Sequence, residues 1–486
     1  MFQAAIRLLK SAVHRALGML GYRLVRLHEP APPPPLPTYS DWNLLGVESS
    51  TKSVDLNLPY QLAASAAARE AVAAIEEQKK EQTKKRDYQT IVRLRQQYRR
   101  DLKIDRPAIR IISSDWLKNI GQIAHLDVYF KLKALGLLEP SETIICLDGV
   151  TPVNRSLLSY YVPFAKHVVP NRAALGNAGD LMELLAESTV AVRLADGKVE
   201  LYHSLLYEVA TAWQRAARPP LISLRPAHRA AGRRWLSSLG LPDDGLFATF
   251  HCRTTINHQD LRSVRPETYT RAMEAVIRAG GWVVCMGTPT LADLHPKIIN
   301  LENHRTPEDD WKDVFLLADC RFFVGCTSGP ADVVNAFGAP SIMVNTLQLA
   351  LQAACNHDLF IPKLFLSRKS GRLLTITESL ENFGTAWASE PGDLTPLGVD
   401  LIDNTPQEIE AVVCEMIDRL DGVAVDIAPW EEAAQQRLRE LRIPSSINHT
   451  HGPIVAGKTR MGRDFLRRNA PALGLVSVHS DAPSLS

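Results

Sequence analysis

The 486-residue chain lacks several features that would each fix a class. Its seven cysteines contain no C-x-x-C pair, and most lie inside apolar runs, where a free thiol behaves as a small hydrophobe. A disulfide scaffold and a structural zinc site are therefore not expected, and a reducing compartment fits better. No run of about 18 apolar residues occurs, so no segment reads as a membrane span. Net charge is only +2, which excludes a polycation built for nucleic acid. G-x-G-x-x-G and G-x-x-x-x-G-K-[ST] are both missing, which argues against a nicotinamide dehydrogenase and a P-loop NTPase. With 45% apolar and 22% charged residues, the remainder is an ordinary globular composition of roughly three domain-sized units at about 150 residues each.

The N-terminal region has its own character. Residues 1–28 carry Arg7, Lys10, Arg15, Arg23 and Arg26 and no acid. Phe2, Ile6, Leu9, Val13, Leu17 and Leu20 recur every three or four positions, so residues 1–29 read as a basic amphipathic helix. Such a helix suits an anionic membrane surface or docks on its own protein. Lys10, His14 and Arg15 break any secretory apolar region. Residues 30–58 form a linker that opens on a polyproline spacer at 30–37. Between Tyr60 and Arg106 there is neither Gly nor Pro, which predicts a helical arm over 59–106. One continuous helix there would reach about 70 Å. Its middle, 76–87, has no apolar side chain, while Tyr88, Ile91, Tyr98 and Leu102 form a stripe for docking, either on an oligomer partner or elsewhere.

After Pro107 the pattern becomes alternating strand and helix. In 107–225, strands are expected at 108–113, 143–147 and 167–169, helices at 123–135 and around 157–161, and a hairpin at 191–202. In 226–425, strands are expected at 246–251, 282–286, 298–301, 321–324, 341–344 and 401–402. Helices are expected at 227–239, 266–279, 310–318 and 331–337, and from Thr405, where Pro406 and Glu408 complete a capping box. Residues 426–486 read as a helical segment and tail. The fold class is α/β, with two Rossmann-like domains facing one cleft and a helical appendage at the N-terminus.

Ligands in such sheets bind beyond the carboxyl ends of the strands. Thr327, Ser328 and Gly329 lead from a strand into a helix with Pro330 at its start, where free N–H groups and the helix dipole suit a phosphate. Plain helix capping by Ser328 is the structural alternative. His251 and Arg253 end another strand, Arg253 offering a fork for phosphate oxygens. His258, Asp260 and Arg262 follow in a polar loop, and Gly287 closes the next strand. Asp310 opens a helix, as a cap or as a partner for a ribose hydroxyl. In the first block, Gly121 and Gln122 form a turn, and His125, Asp127 and Asp148 are the candidates for a general base.

These stretches resemble a family of bacterial GT-B glycosyltransferases of surface polysaccharide or glycoconjugate synthesis. The resemblance is carried by Arg218–Leu224, His251-Cys-Arg253, Gly280–Gly287, Asp310–Leu316, Phe322–Gly329, Leu359–Leu364 and Ile402–Ile409. The His-x-Arg is similar to a signature of fucosyltransferase-like enzymes, and the Ser-Gly-Pro helix start to the donor loop of heptosyltransferases. The resemblance implies a nucleotide-sugar donor in the second domain, bound through His251, Arg253, Arg262, Gly287, Asp310, Thr327, Ser328 and Gly329. It also implies a glycan or lipid-linked acceptor on the first domain beside Gly121 and Gln122. No metal and no separate cofactor is expected, because cationic and N–H groups stabilise the departing diphosphate. The expected setting is cytoplasmic, peripheral on the inner face of the plasma membrane, without nucleic acid. Three departures stand out: Gln122 follows Gly121 where the family pattern has His, Thr288 stands where an acid is expected, and another acid is expected near Arg265. A GT-B nucleotide-sugar epimerase and a non-catalytic nucleotide-sugar-binding scaffold are the alternatives.

Overall fold

The computed structural model describes residues 66–85, 88–103, 109–254, 261–287, 295–306, 309–347, 358–383, 395–424, 426–444, 451–453 and 458–476. The basic helix expected over 1–29, the linker at 30–58, and His258, Asp260 and Thr288 lie outside these residues. Among the described residues no helix is long and apolar enough to cross a membrane.

The segment expected as one long arm consists of two helices, α1 (Ala66–Lys85) and α2 (Tyr88–Asp101), which pack against each other. Ala68, Ala71 and Ile75 of α1 and Ile91 of α2 are buried in one cluster with Ile109, Ile111, Ile144 and Val169. Leu94, Tyr98 and Leu102 pack on the same cluster. The stripe that could have met an oligomer partner is thus spent on the chain's own sheet. The reason is geometric: apolar faces on both helices can be buried together only if the segment folds back over one surface.

That surface is a three-stranded parallel sheet of β1 (Ile109–Ile112), β2 (Glu142–Cys146) and β3 (His167–Val169). Between β1 and β2 the helix expected at 123–135 is split at His125 into α3 (Ile120–Ala124) and α4 (Leu126–Ala134). Helix α5 (Arg155–Tyr161) lies between β2 and β3. The single-turn α6 (Met182–Leu185) packs under α1 and α2. The expected hairpin is present as β4 (Ala191–Arg193) and β5 (Val199–Leu201), followed by α7 (Tyr202–Arg215).

The polar residues of the arm also turn inward. The buried Glu183 carboxylate accepts from Lys79 Nζ at 3.1 Å and Arg95 Nη2 at 3.0 Å. Arg95 Nε donates to the Glu183 carbonyl at 2.8 Å, and Arg99 Nε to that of Leu184 at 2.5 Å. Arg110 of β1 reaches Glu187 at 3.3 Å. Burial pulls the Arg99 guanidinium down to about 10, against the pull of Glu187.

The second half is built on seven parallel strands. Helix α8 (Pro226–Ser238) precedes β6 (Phe247–His251), and α9 (Thr270–Arg278), β7 (Trp282–Met286) and β8 (Ile298–Asn300) follow. Then come α10 (Asp310–Ala318), β9 (Phe322–Gly325), α11 (Gly329–Phe337), β10 (Ser341–Thr346) and β11 (Leu359–Pro362). Strands β6, β7, β9 and β10 are near-continuous apolar runs because both faces of the sheet are covered by helices. The residues expected as a last strand fall in β13 (Val399–Ile402), which pairs antiparallel with β12 (Leu364–Ser367) in a separate ribbon. Helix α12 (Pro406–Leu420) opens with both reciprocal bonds of its capping box, Glu408 N to Thr405 Oγ1 at 3.2 Å and Thr405 N to Glu408 Oε2 at 2.8 Å. After α13 (Pro429–Glu440) and the small hairpin β14 (Arg442–Pro444) and β15 (His451–Pro453), the two-residue β16 (Arg460–Met461) joins the main sheet beside β11. Helix α14 (Arg463–Asn469) then packs on α12.

The spatial order is β16-β11-β10-β9-β6-β7-β8. Strand order therefore reverses between β6 and β9. At such a point the flanking loops leave in opposite directions and open a crevice beyond the carboxyl ends of the strands.

Candidate functional site

The residues at the β6/β9 crevice come from two strand ends in register, His251 opposite Gly325. The His251 Nδ1 and Ser328 Oγ lie 3.1 Å apart across it. Ser328 sits at the N-cap of α11 in extended conformation, yet its side chain makes no capping bond; its hydroxyl donates to the Cys326 carbonyl at 3.0 Å. With that proton committed, His251 donates from Nδ1 and keeps Nε2 as an acceptor. Gly287, at φ +88, holds the end of β7 against this ring: a Cβ there would sit 3.3 Å from both Cδ2 and Nε2 of His251. Next to Ser328, Thr327 is only 8% exposed and its buried Oγ1 has no hydrogen-bond partner. Thr327 lies one residue before the N-cap of α11, so this unmet hydroxyl borders the free N–H groups of the helix start. The Arg253 carbonyl accepts from Val264 N at 2.9 Å, which fixes the loop carrying Arg253, and Arg262 lies half-buried in the same loop.

Two residues at this edge have roles that sequence reasoning passed over. Lys363, directly after β11, is buried, pairs with Asp403 at 2.8 Å and donates to the Ser263 carbonyl at 3.2 Å. Asn345 has φ +52 and exchanges bonds with Asn404, at 2.6 and 2.7 Å. A lysine abutting an all-apolar strand was the available signal for Lys363. Nothing local marks the Asn345–Asn404 pair, whose members are far apart in sequence.

The facing half meets this edge at α3. Asn119 Oδ1 accepts from Gly121 N at 2.8 Å and starts the helix. Gly121 then lies directly on Gly329. A Cβ on Gly121 would stand 2.9 Å from Gly329 Cα, and one on Gly329 would stand 2.8 Å from Gly121 N. Two glycines are required for this approach. Gln122 is partly exposed beside it. His125, at the α3/α4 break, places Nε2 3.8 Å from Asp332 Oδ2 on α11.

The other expected site residues are engaged elsewhere. Asp127 is buried and bound to Lys131 at 2.6 Å; burial pushes its carboxyl up while Lys131 pulls it down. Asp148, at φ +50, pairs with Arg172 at 2.9 Å. Asp310 caps the neighbouring half rather than facing the crevice: its carboxylate accepts from Arg155 N at 2.7 Å and Ser156 Oγ at 2.7 Å at the start of α5. The orphan N–H groups and positive dipole end of α5 draw in this carboxylate. Asn154 completes the joint by donating to the Asp310 carbonyl at 2.8 Å. Among the described residues no group of three or more His, Cys, Asp or Glu could hold a metal ion.

Two histidines at these junctions are held neutral. Burial, then Arg253, lowers His251 to about 4; burial, then Arg225, lowers His228 to about 4, where Tyr160 Oη lies 2.7 Å from its Nδ1. Between about pH 4 and the ordinary value of 6.5, the unfolded chain binds the more protons, so stability is full above 6.5 and falls on acidification. Asp332 and Asp313, raised by burial to about 7 and about 6, act in the opposite sense between about pH 6.5 and 5, so the histidine contribution is read as a difference between variant and wild type. His228→Gln should lose less melting temperature on acidification than wild type does, and an identical pH dependence would remove His228 from the account.

No protein-family model matches the sequence, and no curated protein sequence matches it. Solved structures with a similar layout include a glycosyl transferase family 9 protein from Veillonella parvula. It is 12% identical, with a TM-score of 0.36, over 52% of this chain and 86% of that one. Another is the E. coli ADP-heptose lipopolysaccharide heptosyltransferase II, 15% identical with a TM-score of 0.33, over 48% of this chain and 83% of that one. A third is the E. coli dodecameric glycosyltransferase TibC, 10% identical with a TM-score of 0.27, over 48% and 57%.

Proposed function

We propose that the chain is a glycosyltransferase. A nucleotide-sugar donor binds at the β6/β9 crevice, with Arg253 and the Thr327–Gly329 turn on its diphosphate. The sugar passes to a lipid-linked or glycan acceptor on the α3 side, and residues 1–28 keep the protein near an anionic membrane surface that carries such acceptors. The observation that supports this reading is the buried, unpartnered Thr327 hydroxyl just before the N-cap of α11, at the point where strand order reverses. The chemistry follows from charge. As the bond to the sugar breaks, negative charge gathers on the leaving diphosphate, where a guanidinium and helix N–H groups stabilise it without reorganisation.

Titration calorimetry with UDP, GDP and ADP tests the site. Arg253→Ala should weaken the best nucleotide about a hundredfold, the loss of a charge-assisted bond. Thr327→Val should weaken it about fivefold, the loss of one neutral bond. Unchanged affinity in Arg253→Ala from a folded protein rejects the diphosphate assignment. Tight binding without transfer to any acceptor in a panel would instead make this a nucleotide-sugar-binding scaffold.

A further inference from the structure

We propose that Asp332 is the general base of the transfer and that His125, from the facing half, is the positioning residue that orients its carboxylate; this rests on the transferase reading above. Asp332 lies on the first turns of α11, three residues beyond Gly329. Its Oδ2 would be 3.0 Å from a Cβ on Gly121 and is 3.8 Å from His125 Nε2, so it stands where the two halves meet. Both side chains remain open to an incoming molecule, at 30% exposure for His125 and 31% for Asp332. Of the acids that the sequence offered for this task, Asp127 is bound to Lys131 and Asp148 to Arg172, while Asp310, offered as a cap or a hydroxyl partner, is spent on α5. Among the described residues, Asp332 is a carboxylate beside the donor turn that faces the acceptor half.

In the step, the acceptor oxygen bonds to the anomeric carbon. The bond from that carbon to the diphosphate oxygen breaks, and its electron pair leaves on the nucleoside diphosphate. The hydroxyl proton passes to Asp332. A base works best when it titrates near the operating pH. Although about a third of the Asp332 side chain is open, the packed halves around it keep water from the carboxyl, and that desolvation raises it to about 7. The groups around it are few. Helix α3 offers no titratable side chain, α7 offers Tyr202, stacked on the His125 ring, and α5 offers the buried Tyr161 hydroxyl, which Asp127 and Asp332 both push up. On α10, Asp310 and Asp313 bind α5 and Arg305, and Lys312 binds Asp309; β9 and β10 carry no titratable residue.

The test uses the full chain and a panel of UDP-, GDP- and ADP-hexoses, following nucleoside diphosphate release to water or to an added sugar acceptor. Wild-type kcat should rise with pH through about 7. Asp332→Asn should leave nucleotide affinity unchanged, lower kcat about a hundredfold or more and abolish the pH-dependent rise. His125→Gln should keep the rise but move its midpoint upward, since a partner for the carboxylate is lost. Carbon-13 NMR of aspartate carboxyls gives the same midpoints without turnover. A variant Asp332→Asn with wild-type kcat and an intact rise overturns the base assignment alone. A wild-type protein that binds no nucleotide overturns the transferase reading and this one with it.

Discussion

Glu183→Ala should destabilise the protein by about 3 kcal/mol, because it strands the buried Arg95 guanidinium rather than merely deleting a bond. Glu183 is 4% exposed and holds Lys79, Arg95 and, at 3.8 Å, Arg172. Burial alone would raise its carboxyl; Lys79 and Arg95 outweigh that and hold it below the usual range. Its contribution is thus present above the ordinary carboxylate range and is lost as pH falls through its lowered value. Denaturant midpoints at pH 7 measure the effect. Glu183→Gln, which keeps the shape and loses the charge, should fall between the alanine variant and wild type. A loss under about 1 kcal/mol for Glu183→Ala would mean that the arm is held by its apolar stripe alone.

Gly329→Val should cost about 1–3 kcal/mol and should also weaken nucleotide binding. Its first added carbon would meet Gly121 N and Ile120 Cγ2, each at 2.8 Å, and Gly121 Cα at 3.2 Å. Two of these atoms are backbone, so no rotamer change relieves the clash. The halves must separate or α11 must shift, and the Asp310 cap on α5 resists the first. Gly121→Ala meets the same contact from the other side, 2.9 Å from Gly329 Cα. The double variant Gly121→Ala/Gly329→Ala should therefore lose less than the sum of its parts. Thermal melts of the four proteins decide it: additive losses would show that the two glycines are not one contact.

Much of the second half is legible in the sequence because its signals are local. Buried parallel strands are apolar runs bounded by Gly, and the Thr405–Glu408 box is a four-residue pattern. The strand end at His251 and the Ser-Gly-Pro start of α11 could be placed on one crevice edge for the same reason. What local patterns do not carry is the partner of each face. The arm's helical stripe was readable, but not its burial on β1 and β2. The inward turn of Lys79, Arg95 and Arg99 could not be read, because their partners Glu183 and Glu187 are remote in sequence. Asp310 read as a cap with a ribose hydroxyl as the alternative, and the position of α5 shows which partner it takes. Asp332 drew no notice, since an acid in a helix's first turns is ordinary.

The pairing of β16 with β11 has a consequence for how the chain comes to be folded. The outermost strand of the main sheet is supplied by residues 460–461, and the β15 segment just before it packs on α7 of the first half. During synthesis the second sheet therefore stays open at one edge until residues 460–461 have emerged, about a hundred residues after β11. Such long-range closure is slow and leaves β11 exposed to pairing with other chains in the interval. A strand of only two residues, far along the chain, is what closes that edge of the sheet.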